Sequence, residues 1–399
     1  MTYTYVATCL FGLERILGEE IDALGYERIA TIDGRVTFRG DLTAAARCNL
    51  WLRSAERLYL LLGEFHADSF DALFEGTRRL PFEDFIGVND RFPVTGHAIK
   101  SRLYSIPDCQ SIIKKAIVER LRQKYGVSWF TEEGVTYSVE FFILNDKAQL
   151  MIDLSGTALH KRGYRPQAGA APLRETLASA LVKIARPRED VLFWDPMCGS
   201  GTIAIEAAML MANIAPGSRR SFVAETFPQI PKATFIAARE EAADLVRRET
   251  KFEAYASDID PSVLAICKES CTRAGVSGIV KAFQRNALEI KTGGRRGTIV
   301  TNPPYGERLL TPEETETLYR NMGKHFQTLD AWQIYILTSH ETFERLYNRR
   351  ADKVRKLYNG MIPCYYYQFF KKPDQAAKPQ SRPPFSGSKP KTEREKWKK

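Results

Sequence analysis

The sequence predicts an α/β chain in which a doubly wound, mostly parallel sheet with an antiparallel terminal strand follows two smaller α+β units. Three observations predict it. From about Leu173 short apolar strands alternate with helical stretches. Glycine- and proline-rich loops in that half follow strands directly. Ahead of it, strands and helices mix without regular alternation. At 399 residues, 44% hydrophobic and 27% charged, the chain suits two or three domains and excludes a disordered or collagen-like protein. No apolar run reaches the roughly 18 residues of a membrane span, and the start lacks a basic segment before a long apolar one, so no secretion signal is expected. Seven scattered cysteines without a C-x-x-C spell neither a disulfide framework nor a structural zinc, and the expected location is cytoplasmic.

The elements follow in order. Residues 1–60 read as one α/β unit: strands over 4–10 and 35–40, a helix over 13–25 closed by Gly25, and a helix from Asp41, whose carboxylate is the expected cap. Residues 61–165 read as a second unit. It opens on the leucine-rich run 57–65, with a helix over 70–79 and a strand over 94–99. Its clearest helix, 108–126, has Asp108 as expected cap and Ile113, Ile117 and Leu121 on one face. Strands over 135–144 and 148–154 flank Asn145-Asp146 as a hairpin. In the third unit, 166–370, parallel strands are expected at 191–194, 253–258, 279–283, 297–301 and 332–338. Helices are expected at 202–212, 237–250, 261–274 and 313–329, with an excursion over 214–235 and an antiparallel pair at 353–360 and 363–370.

The net charge of +10 is uneven. Residues 371–399 hold ten Lys/Arg against three acids, with five prolines and few apolar groups; this stretch is expected to be disordered, either solubilising or tethering RNA phosphates. Two basic runs lie inside the fold, and Lys100, Arg102, Lys114, Lys115, Arg122, Lys161, Arg162 and Arg165 are the candidate RNA contacts.

Chemistry concentrates in three loops. In VLFWDPMCGSGTIAIEAAML a buried strand runs into Asp195, then Gly199, Gly201 and a helix near Thr202, which brings backbone and helix N–H groups close to a ligand. Neither G-K-[ST] nor G-x-G-x-x-G is present, so no pyrophosphate cradle is expected, and Asp195 suits an ammonium or sulfonium. In YASDIDP, Asp258 is placed to hold ribose hydroxyls and Asp260 to cap the next helix. In FQRNALEI, Asn286 is placed at an adenine edge. In GTIVTNPPYGERL, Pro303 and Pro304 stiffen a loop in which the Asn302 side chain and a proline carbonyl can grip a planar amino group, with Tyr305 as a stacking face.

DPMCGSGT followed by TNPPY resembles the motifs of class I S-adenosylmethionine-dependent methyltransferases acting on exocyclic amino nitrogens. NPPY is shared by adenine-N6, cytosine-N4, guanine-N2 and glutamine-amide enzymes. HAIKSRLYSIPDCQSIIKKAIVERL and MIDLSGTALHKRGYR resemble the THUMP RNA-binding module, and GLERILGEEIDALG the ferredoxin-like domain before it. HKRGYRPQAGAAPLRETLASALV and NIAPGSRRSF are similar to bacterial RlmL/YpsC-type ribosomal RNA guanine-N2 methyltransferases. The resemblance covers about residues 1–370. It implies a Rossmann-like methyltransferase domain, methylation of guanine N2 in 23S ribosomal RNA, and S-adenosylmethionine as cofactor with no metal. It further implies cofactor contacts at Pro196, Thr202, Ile259, Ala287, Arg174, Thr176 and Asn302, and catalysis by Asn302, Pro303, Pro304 and Tyr305. Asn286 stands where related enzymes commonly have Asp. His66, His97, His160, His325 and His340 form no H-E-x-x-H and read as structural, and Cys267 and Cys271, one helical turn apart, as packing. The alternatives are a DNA adenine-N6 methyltransferase and a non-catalytic RNA-binding or ribosome-assembly factor.

Overall fold

The computed structural model describes residues 2–165, 173–305 and 310–370. The expected basic tail, 371–399, and the residues at the expected 165/166 boundary, 166–172, lie outside them. β1 (Tyr3–Cys9) turns Tyr5, Ala7 and Cys9 into the main core and Val6 to the opposite face, the period-2 pattern of a strand covered on both sides. It is followed by α1 (Glu14–Ala23), β2 (Glu27–Ile32), β3 (Arg35–Gly40), α2 (Thr43–Trp51) and β4 (Ala55–His66). The chain continues through α3 (Phe70–Arg78), β5 (Val94–Ile99), α4 (Ile106–Tyr125), β6 (Val139–Leu144) and β7 (Lys147–Asp153). These strands make one sheet in the order β2-β3-β1-β4-β7-β6-β5, antiparallel throughout except for β5 beside β6. β4 runs straight through the expected 60/61 boundary, pairing with β1 on one side and β7 on the other, so the two amino-terminal units share a sheet. The hairpin between β6 and β7 turns on Asn145 and Asp146, both at positive φ, the conformation that Asn and Asp tolerate in a two-residue turn.

The third unit opens with α5 (Glu175–Ala185), β8 (Leu192–Asp195), α6 (Thr202–Met211) and α7 (Lys232–Asp244). Then come β9 (Ala254–Asp258), α8 (Pro261–Ala274), β10 (Val280–Gln284), β11 (Gly297–Thr301) and α9 (Pro312–Phe326). It ends with β12 (Trp332–Thr338), α10 (Phe343–Tyr347), β13 (Lys353–Asn359) and β14 (Ile362–Phe369). The sheet order is β10-β9-β8-β11-β12-β14-β13: five parallel strands, then β14 inserted antiparallel beside β12 with β13 at the edge. Among the described residues no helix is long and apolar enough to cross a membrane.

Several element boundaries differ from expectation. Asp108 does not cap α4: the helix starts at Ile106, with Pro107 fixing φ in its first turn, and Asp108 lies inside that turn, where its charge faces the helix's free N–H groups. Asp41 stands one residue before the cap position, yet its carboxylate still accepts the Thr43 N–H at 3.0 Å. α7 begins five residues early because Pro231 stands extended at its N-cap. α9 ends at Phe326, and a reciprocal Thr311–Glu314 capping box starts it. The excursion 214–235 fastens the third unit to the amino-terminal sheet. Phe227 stacks on Tyr137 at 4.3 Å, the Tyr137 hydroxyl donates to Gln229, and the Gly217 N–H donates to the Leu50 carbonyl.

Candidate active site

Three neighbouring parallel strands, β9, β8 and β11, deliver their carboxyl ends to one edge of the sheet, so the loops that follow them are side by side. The contact is direct: the Thr301 hydroxyl at the end of β11 donates to Asp195 Oδ1 at the end of β8, at 2.9 Å. Asp195 is 1% exposed, and burial pushes its carboxyl up to about 8, even though the Thr301 hydroxyl and the Met197 N–H both favour the charged form.

The two glycines of the loop divide their work. Both stand at positive φ, +50° for Gly199 and +82° for Gly201. Among the described residues a Cβ on Gly199 meets nothing within 4 Å, so this glycine leaves space open for a ligand. A Cβ on Gly201 lies 2.4 Å from Cys267 Sγ, so that glycine lets α6 and α8 pack closely. Gly201→Ala is therefore expected to destabilise the fold by about 1–3 kcal/mol through strain and overpacking, whereas Gly199→Ala costs less stability and more ligand affinity; thermal melts with and without ligand separate the two. Cys198, Cys267 and Cys271 are all buried around this contact.

Asp258 at the end of β9 accepts the Gly199 N–H on Oδ2 (2.9 Å) and the Asp260 N–H on Oδ1 (3.1 Å). Each oxygen keeps a second lone pair for a ligand hydroxyl. Asp260 caps α8 through the Ser262 N–H at 2.8 Å. Ile259, 66% exposed, stands between them. Asn286 Oδ1 accepts the Leu288 N–H at 3.0 Å beside buried Ala287, which leaves its second lone pair and its NH2 group for a base edge. Pro196 is buried, and Thr202 Oγ1 accepts from Arg165 at 2.8 Å.

Around TNPPY the carbonyl of Pro304 accepts the Tyr319 hydroxyl (3.0 Å), itself within 2.9 Å of the Thr338 hydroxyl, and Pro303 is buried. The Tyr305 hydroxyl accepts from Asn359 Nδ2 at 3.2 Å, with Cys364 Sγ at 3.8 Å, and burial raises its phenol above the ordinary value. Asn302 Oδ1 is buried and has no hydrogen-bond partner among the described residues.

A family model described as the RMKL-like methyltransferase domain matches residues 162–368, over half of the chain. The chain belongs to this RMKL-like methyltransferase family. A ferredoxin-like domain of the RlmL type matches 4–59, and a THUMP domain 67–153. A Bacillus subtilis protein described as a candidate RNA methyltransferase, YpsC, is 45% identical over 93% of this chain and 96% of its own length. The ribosomal RNA large subunit methyltransferase K/L of Psychromonas ingrahamii is 34% identical over 88% of this chain and 48% of its own, so the chain spans about half the length of such K/L relatives. Among solved structures, a Listeria monocytogenes protein titled a predicted N6-adenine-specific DNA methylase is 44% identical, with a TM-score of 0.88 over 93% of this chain and 97% of its own. SMU.472, a methyltransferase candidate complexed with SAH, is 38% identical, with a TM-score of 0.87 over 93% and 99%.

In this RMKL-like chain several expected contacts do something else. Arg162 is 3% exposed; it donates to the carbonyls of Leu159 and Arg53 and pairs with fully buried Glu206, so it is a structural guanidinium and not an RNA contact. Arg165 turns inward to Thr202, the Leu173 carbonyl and Glu175, bracing the glycine loop. The Lys114 ammonium is held by the Phe92 carbonyl and Glu132, 3.6 Å over the Phe92 ring. Arg174 and Thr176 both donate to Glu56 of β4, fixing the start of α5 to the amino-terminal sheet, while the Arg174 guanidinium keeps further N–H groups free among the described residues. Lys100, Arg102, Lys115, Arg122 and Lys161 remain exposed, with Arg102 beside Asp68 and Arg122 beside Glu119. The positioning groups Thr301, Tyr319, Thr338 and Asn359 were not foreseen. The threonines had a signal: GTIVT and WQIYILT each end an apolar parallel strand in a hydroxyl. Among the described residues no His, Cys, Asp and Glu cluster stands ready for a metal ion.

Proposed function

We propose that this methyltransferase transfers a methyl group from S-adenosylmethionine to an exocyclic amino nitrogen of an RNA base, guanine N2 of large-subunit ribosomal RNA. One observation carries the reading: a buried Asn302 oxygen without a partner among the described residues, at a loop hydrogen-bonded to the glycine-loop acid. An acceptor buried unsatisfied costs about 1–3 kcal/mol, a cost that a donor arriving on a substrate removes.

The residues fit the cofactor. No described side chain crowds Gly199, Asp195 supplies a carboxylate for its cationic end, and Asp258 keeps acceptor capacity for ribose hydroxyls. Bound there, it supplies a methyl carbon already activated by the positive sulfur. The chain's own part is alignment. Guanine N2 is a poor nucleophile because its lone pair is delocalised into the ring. Asn302 Oδ1 and the Pro303 carbonyl accept its two hydrogens, hold the amino group and turn its electron density toward the methyl carbon. Tyr319 keeps the Pro304 end of the loop in place through its hydrogen bond. Tyr305, fastened at its hydroxyl by Asn359, offers a ring for the base to lie against.

A THUMP unit sharing its sheet with the ferredoxin-like unit supports RNA over DNA, and exposed Lys100, Lys115 and Lys161 suit the phosphates of either. The Listeria title favours adenine in DNA as the second reading. Tritiated methyl transfer to unmodified ribosomal RNA, DNA and protein, together with mass-spectrometric mapping of ribosomal RNA from a deletion strain, decides between them. One missing N2-methylguanosine is the expected result; label entering only DNA overturns it.

A further inference from the structure

The β13–β14 hairpin ends in a two-residue turn, Gly360-Met361, with Gly360 at φ +66° and Asn359 opposite Ile362. A glycine at the first turn position lets the strands keep their twist through so tight a connection. The result is an apolar tip: Met361 is 94% exposed and Ile362 45%. Two observations make it more than a stray methionine. The Asn359 side chain holds the Tyr305 hydroxyl at 3.2 Å, and Cys364, across the hairpin, approaches the same oxygen, so the tip stands over the end of the catalytic loop. With about 3.8 Å between consecutive Cα atoms, Met361 lies within roughly 8 Å of the Asn359 backbone.

The strand leading to the tip is basic and aromatic on its free face. Leu357 points into the core, so Val354, Lys356 and Tyr358 share the opposite side; Lys356 is exposed, with its ammonium 5.6 Å over the Tyr358 ring. Phe11, from the loop after β1, packs edge-on against Tyr358 at 6.0 Å and keeps half its surface in solvent. Met361 and Ile362 thus make an apolar tip beside the base-gripping loop, where an apolar side chain can replace a missing stacking partner, whereas Lys356 and Tyr358 lie on the hairpin face opposite Asn359 and Tyr305.

We propose that Met361 is the wedge that enters the RNA stack as the target base leaves it. This deepens the base-methylation reading and rests on it. To reach Asn302 a base must be splayed out, and the gap it leaves loses its stacking contacts. A thioether side chain on a rigid turn fills that gap without needing a sequence. Met361 is thus a positioning residue and touches no reacting atom.

The test uses the full chain and two probes, ribosomal RNA from a deletion strain, refolded, and the same RNA cut to short unpaired fragments. Single-turnover transfer by Met361→Ala is expected to fall at least about tenfold on folded RNA but about threefold or less on fragments, where nothing must be unstacked. Met361→Leu, which restores apolar bulk, should recover most of the folded-RNA rate. A Met361→Ala rate equal to the parent's on folded RNA, or an equal loss on both probes, overturns the wedge. Absence of label from the unaltered protein on either RNA refutes base methylation itself, a separate result.

Discussion

Asn302→Ala is expected to slow single-turnover methyl transfer by about 10²–10³-fold, the usual cost of deleting one fixed hydrogen-bonding group from a polar catalytic site. Cofactor affinity should stay within about threefold, because the carboxamide acts on the amino group of the acceptor and not on the donor. Stability makes the prediction sharper. A side chain kept for packing loses stability when truncated. Asn302 Oδ1 instead sits buried with no partner among the described residues of the ligand-free protein, so its removal relieves a desolvation cost. The melting temperature of Asn302→Ala without ligand should therefore match or exceed that of the parent, while its activity collapses. A variant that melts well below the parent and loses cofactor binding in step would mean that Asn302 holds the loop together and leave the amino-group grip without its acceptor.

How much of this was legible in the sequence depends on how local each signal was. The strand–glycine–helix element around Asp195 and the Thr301-to-Tyr305 loop were readable because each is written in consecutive residues. α9 was readable because Leu318, Met322 and Phe326 recur every four residues, although it is Tyr319 and not Leu318 that the structure buries beside Met322 and Phe326. β2 was not: all six residues are exposed, so it carries no alternation to read. α5 failed for the opposite reason, being buried nearly all round. The basic runs misled because charge in a sequence does not reveal which way it points. Arg162 and Lys161 are neighbours, yet one is locked to Glu206 in the interior and the other is in solvent. The partners that decide such cases are far away in the chain, as Glu56 is for Arg174 and Thr176. The same distance hid Asn359 and Tyr319, whose service to Tyr305 and Pro304 exists only once the sheet is closed.

The other large effect is a dependence on pH. Burial holds the Asp195 carboxyl at about 8 without ligand, so at pH 6.5 the group is mostly protonated. A cation placed beside it favours the charged form, so binding must expel that proton. Affinity for S-adenosylmethionine should then rise up to about tenfold per pH unit below 8, since one unit is about 1.4 kcal/mol. Above 8 the curve should flatten and then fall as the ligand's own amino group deprotonates. Asp195→Asn should erase the rising limb and weaken binding by about 10–100-fold at pH 8; calorimetry in buffers of different ionisation enthalpy should show proton release for the parent only. Stability of the ligand-free protein runs the other way with pH. The folded pKa lies above that of the unfolded chain, so the ligand-free protein is favoured below about pH 4 and loses that advantage as pH rises through about 8. Without ligand, Asp195→Asn should accordingly raise the melting temperature more at pH 8 than at pH 5. A variant equally destabilised at both pH values, with binding still pH-dependent, would place the titrating group elsewhere and remove Asp195 from the cofactor's cationic end.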